Sequence, residues 1–159
     1  MTEPATTEAT PVLAGKGTLK DPIPLGTEAK VGAGFTMKIV AYNPNATALI
    51  AKANQFNDKP TAGKTYVMVT VEVAYTGDKD KDAPILLVLN AVGPSKTAYS
   101  ETDTFAVEPD PKFDNFADIF SGGKSTGNVA LLVDQADANG LIIYAHNGIS
   151  ADDVHFATS

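Results

Sequence analysis

Three aspartates at alternate positions, Asp78, Asp80 and Asp82, follow Gly77. This spacing resembles the first ligands of a calcium loop, where carboxylates and backbone carbonyls converge on a hard cation. The helix–loop–helix version of that loop also needs Gly at position 83 and Glu at position 89, and here these are Ala83 and Leu89. Two readings stay open: a looser cation site of Asp78, Asp80 and Asp82 on a β-turn, or a solvated hairpin tip whose acids are neutralised by Lys79 and Lys81.

Other chemistry-bearing residues point away from catalysis. Gly123-Lys124-Ser125-Thr126 imitates the end of a phosphate-binding loop, but position 118, where that motif has its first Gly, is Asp118. A β-type segment follows where a helix N-terminus would have to receive the anion, so the segment reads as the start of a strand. His146 and His155, with Asp152 and Asp153, are the one cluster of transition-metal ligand types. With a loop over 147–151, His146 falls near Asp152 while Asp153 and His155 share a strand face, so three ligands do not converge. Cys is absent, which removes thiolate nucleophiles, disulfides, iron–sulfur clusters and Cys-based zinc sites. There is no G-x-S-x-G elbow, no His beside a Ser nucleophile, and nothing singles out a carboxylate pair among nineteen acids. The expectation is a chain that is not an enzyme and carries no cofactor.

A richer region runs from Glu101 to Phe120. It holds four of the seven Phe (Phe105, Phe113, Phe116, Phe120), interleaved with acids and stiffened by Pro109 and Pro111. It reads as a long crossover, and long loops on compact domains often carry function. Lys112, Phe113, Asp114 and Phe116 are the expected ligand-binding residues, with Phe113 the ring expected to stay exposed. Aromatics among acids favour a partner that is cationic or stacks on rings. The alternative is that all four rings anchor the crossover to the core.

The elements that position these residues are strands. In 65–75, Val67, Val69, Val71 and Val73 fall on one face and Tyr66, Met68, Thr70 and Glu72 on the other, the period-two pattern of a half-buried strand. Phe35, Met37, Ile39 and Ala41 form a second alternating set, closed by the turn Asn43-Pro44-Asn45, after which 46–53 is expected to return as its neighbour. Runs at 85–89 and 141–144 are apolar on both faces, as in central strands. Val129, Leu131 and Val133 alternate, Asp137-Ala138-Asn139-Gly140 turns the chain, and Val154 and Phe156 lie on a closing strand. Turn signals every 8 to 12 residues predict an all-β, immunoglobulin-like antiparallel sandwich of about seven to nine strands over 18–159. Residues 1–17, rich in Thr, Ala, Glu and Pro, read as a flexible spacer.

The chain resembles a family of bacterial extracytoplasmic domains of unknown function found in Gram-positive lipoproteins and related to a secreted mycobacterial immunoprotective antigen. The resemblance covers 21–156. It rests on Pro24-Leu25-Gly26, on the stretch from Asn54-Gln55-Phe56-Asn57-Asp58 to Thr65-Tyr66, on Tyr75-Thr76-Gly77 after the Val strand, and on Ser121-Gly122-Gly123 before a late strand. Where the family has Pro-Gly at this last turn, Gly122-Gly123 still permits positive φ. The resemblance implies an immunoglobulin-like sandwich, often tethered through a lipidated Cys and a low-complexity spacer, and brings no catalytic residues. The spacer type is present here and the Cys is not.

Net charge is −7, and all twelve basic residues are Lys. With no guanidinium to grip phosphate or guanine, nucleic acid is not an expected partner. No stretch reaches the roughly twenty apolar residues of a spanning helix, so a membrane is expected only through an upstream lipid anchor. The function expected is a secreted or surface-tethered module binding a protein or cell-envelope ligand. A cryptic metal-dependent enzyme and a purely structural spacer domain are the alternatives.

Overall fold

Val67, Val69, Val71 and Val73 are completely buried, and the strand that carries them, Lys64–Tyr75, lies at the centre of the molecule. The computed structural model describes residues 16–148 and 151–159. Among the described residues ten strands run in chain order: β1 Ala29–Gly32, β2 Phe35–Asn43, β3 Lys64–Tyr75, β4 Lys81–Asp82, β5 Asn90–Val92, β6 Ala98–Ser100, β7 Ile119–Phe120, β8 Lys124–Asp134, β9 Ile142–Ala145 and β10 Val154–Ala157. They pair antiparallel into one sheet of order β1-β2-β3-β8, a second of order β10-β9-β5-β6, and a two-stranded β4-β7 ladder. The main core lies between the two larger sheets, where the four valines meet Leu87, Leu89, Ile143 and Phe156. The chain is an all-β, immunoglobulin-like antiparallel sandwich.

Sequence expectation and structure part in three places. Residues 46–53 do not return as a strand but form the helix α1, Thr47–Ala53. The segment TALIAKA supplies good helix formers without a β-branched run, and Ile50 is buried with Ala46, Tyr66 and Ala130 in a small core on the outer face of β3. Residues 85–89 are not a strand either. Leu87 N–H bonds to Pro84 O in a tight turn, and Ile85 and Leu86 are turned out to solvent. Ala41, expected in the core, is exposed because the β2–β3 register slips between Ile39 and Ala41. This bulge shifts the phase of alternation by one, so that Tyr42 packs against the core instead.

The spacer falls outside the described residues except for Lys16 and Gly17. Gly17 is anchored: its N–H donates to Asp21 O at 2.7 Å and its carbonyl accepts from His155 N at 2.8 Å. The following segment runs along the outer edge of β10, where Ile23 N donates to His155 O and Ile23 O accepts from Ala157 N.

Candidate binding surface

The crossover between β6 and β8 is fixed to its neighbours. Asn128 N–H donates to Pro111 O at 2.8 Å and Asn128 O accepts from Phe113 N at 3.1 Å. The Asn128 side chain reaches Pro109 O, and Glu108 Oε2 accepts from Ala130 N. The residues from Glu108 to Phe113 thus cover the free edge of β8, satisfying backbone groups that an open edge would offer to another chain.

This anchoring corrects the expected role of Phe113. Its backbone is pinned to Asn128, and its ring is half-buried against the main core. Of the two nominated rings, Phe116 is the one that stays in solvent, 76% exposed, and Phe105 and Phe120 are exposed as well. Lys112 and Asp114 are both exposed, and Asp114 shapes the turn, its Oδ1 accepting from Phe116 N at 2.9 Å. Asn115 Nδ2 donates to Leu87 O at 3.2 Å, tying this turn to the 83–89 loop that carries exposed Ile85 and Leu86. The β4-β7 ladder closes the same end: Lys81 pairs with Asp118 at 2.8 Å, and its ammonium lies 5.7 Å from the centroid of the exposed Phe120 ring. Across 78–86 and 110–120 there are six carboxylates and three ammonium groups, so apolar side chains sit on a fixed backbone in an acidic setting.

The aspartates nominated for a cation do not gather. Asp82 accepts from Ala83 N and pairs with Lys79 at 3.2 Å, while the backbone carbonyl of Asp80 is occupied by Ser121 N. Asp78 and Asp82 line one shallow cleft with Gly34, Tyr75 and Lys79, whose ammonium occupies Asp82. Among the described residues no three His, Asp or Glu side chains are arranged to hold a metal ion. Asp78 and Asp82 share a cleft and Asp80 does not line it, so the three do not converge as a set. His146 meets Asp153 at 2.7 Å, not Asp152. His155 lies apart, stacked on Tyr144 with its Nδ1 3.1 Å from Gly17 O. Lys124 opens β8 opposite Ala74, so the phosphate-loop imitation has no helix behind it.

Two polar groups escaped sequence reasoning. Asp137, in the 3-10 turn Gln135–Gly140, is buried and accepts from Ser95 N, Ser95 Oγ and Tyr99 OH. The bonds from Ser95 and Tyr99 hold its carboxyl below the usual range, and burial with the adjacent Asp137 pushes the Tyr99 phenol up to about 12. Glu101 reaches inward to accept from Leu89 N at 2.7 Å, and burial raises its pKa. Both acids are engaged by internal donors, which gives them structural work. In sequence each looked like an ordinary loop residue.

No protein-family model and no curated protein matches the chain. Among solved structures it is similar to MPT63, a secreted protein from Mycobacterium tuberculosis, at 20% identity over 86% of this chain and 97% of that one, with a TM-score of 0.58. It is also similar to a candidate lipoprotein, ycdA, from Bacillus subtilis, at 19% identity over 82% of this chain, with a TM-score of 0.53; the match spans 38% of that protein's length. A conserved hypothetical protein from Bacillus anthracis matches at 10% identity, over 83% of this chain and 94% of that one, with a TM-score of 0.52. These likenesses establish architecture: the chain shares its β-sandwich with MPT63 and its structural neighbours.

Proposed function

We propose that this chain is a non-catalytic binding module that works outside the cytoplasm and meets its partner through the end surface around Phe116. The observation that carries the reading is Phe116, 76% exposed on a turn fixed by Asp114 Oδ1, together with exposed Ile85 and Leu86 on the 83–89 loop that Asn115 ties to this turn. Large apolar side chains held in solvent on a rigid backbone contribute nothing to the fold and act as ready-made anchors for a partner. Phe120, Ile85 and Leu86 extend the apolar surface, and the excess of carboxylates around it favours a cationic, partly apolar ligand by charge complementarity. Lys112 and Asp114 form the polar rim. The secreted and lipoprotein descriptions of the structural neighbours support the location.

Calorimetric titration with an amphipathic Leu/Lys peptide and with its Leu/Glu counterpart tests the surface. The Leu/Lys peptide binds, the Leu/Glu peptide does not, and Phe116→Ala weakens binding by more than about tenfold at an unchanged melting temperature. Equal binding of both peptides, or no effect of Phe116→Ala, overturns the reading. Fractionation of the cells that make the protein tests the location, and recovery from the cytosol alone rejects it.

A further inference from the structure

A second exposed aromatic pair lies on the outer side of the β3 sheet, in loops nearly fifty residues apart in sequence. Phe56 is 83% exposed and Phe105 is 96% exposed. Their loops are stitched together beside the rings. Asn57 Nδ2 donates to Val107 O at 2.9 Å and Asn57 Oδ1 accepts from Val107 N at 2.8 Å, so one side chain meets a backbone as another strand would. The same Nδ2 also reaches Ile50 O at 2.8 Å, which ties the pair to α1. On the other side, the buried Tyr66 donates its hydroxyl to Asp58 O at 3.0 Å and lies 3.4 Å from Thr104 Oγ1. Each ring also has its own local brace, Phe56 N to Asn54 Oδ1 and Ala106 N to Thr104 Oγ1.

A single exposed Phe on a loop is ordinary. Two on cross-linked, hydrogen-bonded loops form a preorganised apolar patch that adds nothing to the core and would lose little conformational entropy on association. Its charge setting differs from that of the crossover end. The exposed charges that flank it are Lys52, Lys59, Asp58 and Asp103, two of each sign, while the nearby Glu101 and Glu108 are half-buried and bonded to Leu89 N and Ala130 N; none of the four exposed groups makes an ion pair among the described residues.

Charge balance decides the occupant. A chain carrying −7 repels its own copy wherever acids dominate, but the exposed charges of this patch balance and can complement those of a second copy. A two-fold operation brings the same patch of each copy together, so the unpaired Lys of one can face the unpaired Asp of the other across the rings. Four Phe rings of about 150–250 Å² each supply most of the roughly 1,000 Å² at which specific association begins. We propose that Phe56 and Phe105 form the centre of an isologous homodimer interface whose occupant is a second copy of this chain. It is separate from the surface around Phe116 and stands whether or not that surface binds a cationic partner.

Sedimentation velocity of the full chain over roughly 1–500 µM, the range in which a weak dimer titrates, tests this. The wild type shifts from monomer to dimer with concentration. Phe56→Ser/Phe105→Ser stays monomeric at the highest concentration, with its melting temperature at the lowest concentration unchanged. Lys52→Glu/Lys59→Glu, which makes the patch wholly acidic, weakens the dimer at least about tenfold, whereas Phe116→Ser leaves it as it is. A wild type that is monomeric throughout, a double Ser variant that dimerises like the wild type, or an unchanged dissociation constant for the Lys variant overturns the proposal.

Discussion

Tyr99 on β6 donates a 2.6 Å hydrogen bond from its hydroxyl to Oδ2 of Asp137, thirty-eight residues further along. The same oxygen accepts from Ser95 Oγ at 2.6 Å, and Asp137 Oδ1 accepts from Ser95 N at 3.0 Å. One carboxylate therefore locks the 93–97 turn against the turn that leads into β9. Gly93 permits the approach, since a Cβ there would lie 2.3 Å from the Asp137 carboxyl carbon.

The lock makes stability depend on pH at both ends. Asp137 titrates below its unfolded value of 3.8, so its contribution is present above that value and is lost as pH falls through the lowered folded pKa. Tyr99 titrates near 12 against 10.0 unfolded, so its contribution is complete below pH 10 and is lost as pH rises from 10 toward 12. Denaturant midpoints should therefore fall at acid pH and again above pH 10. Tyr99→Phe should lessen the alkaline loss, of which the half-buried Tyr42 phenol, also raised, keeps a share, and cost about 1–2 kcal/mol at pH 7 through the bond it deletes. An unchanged alkaline limb in Tyr99→Phe would assign that titration elsewhere.

Glu101 acts in the opposite direction. Burial raises its pKa despite the bond from Leu89 N, and Glu108 adds like charge. Its ionisation therefore opposes folding at neutral pH, although its oxygen is needed as an acceptor. Glu101→Gln keeps the acceptor and drops the charge, and should melt at or above the wild-type temperature at pH 7. Glu101→Ala leaves Leu89 N without its partner and should melt lower. Thermal scans of the two variants separate charge from hydrogen bond, and a Gln variant as damaged as the Ala variant would contradict the argument.

The buried face of β3 provides a register test. Val71→Ala should cost about 1–3 kcal/mol in lost transfer and packing, because Val71 is fully buried opposite Ile39. Val40→Ala, at the bulge and 45% exposed, should stay within about 0.5 kcal/mol. Equal midpoint shifts in urea would place the wrong face inward.

What could be read without the structure follows from where one periodicity dominates. Val67 to Val73 alternate because one face meets the core along its whole length, and a slip would expose every valine at once. The 46–53 segment carries only two turns of helix, too short for a 3.6-residue period to stand out, and its place is set by Ile50 and Tyr66 packing together. In the apolar run after Pro84, hydrophobicity is consistent with a strand while the turn at 85–86 prevents one. The candidate surface was harder to resolve. A loop has no period, so residue type can mark 101–120 as aromatic and acidic but does not tell which ring turns inward. That choice fell to the bonds of Asn128, which draw in Phe113 and leave Phe116 outside. The partners of Asp137 and Asn57 lie about forty and fifty residues away, beyond any local pattern.

Gly127 is the point at which the crossover can be dislodged without touching its own residues. An added Cβ would lie 2.4 Å from both Cα and N of Phe113 and 2.7 Å from the carbonyl carbon of Lys112. These obstacles are backbone atoms held by the bonds of Asn128, so they cannot swing aside as a flexible side chain would. Gly127 sits in the paired part of β8 opposite Val71, where Ala suits a strand at least as well as Gly. Any loss in Gly127→Ala therefore reports the close approach. It should amount to about 1–3 kcal/mol, accompanied by faster deuterium uptake over 108–120 while β3 stays protected. Gly122→Ala is the contrast: a Cβ there meets nothing within 4 Å, but φ is +88°, so it should cost about 1 kcal/mol in backbone strain and leave exchange at 108–113 unchanged. If Gly127→Ala lowered the midpoint with uptake over 108–120 unaltered, the crossover would be held by contacts other than its seat on β8. The fixed backbone beneath Phe116 would then need another origin.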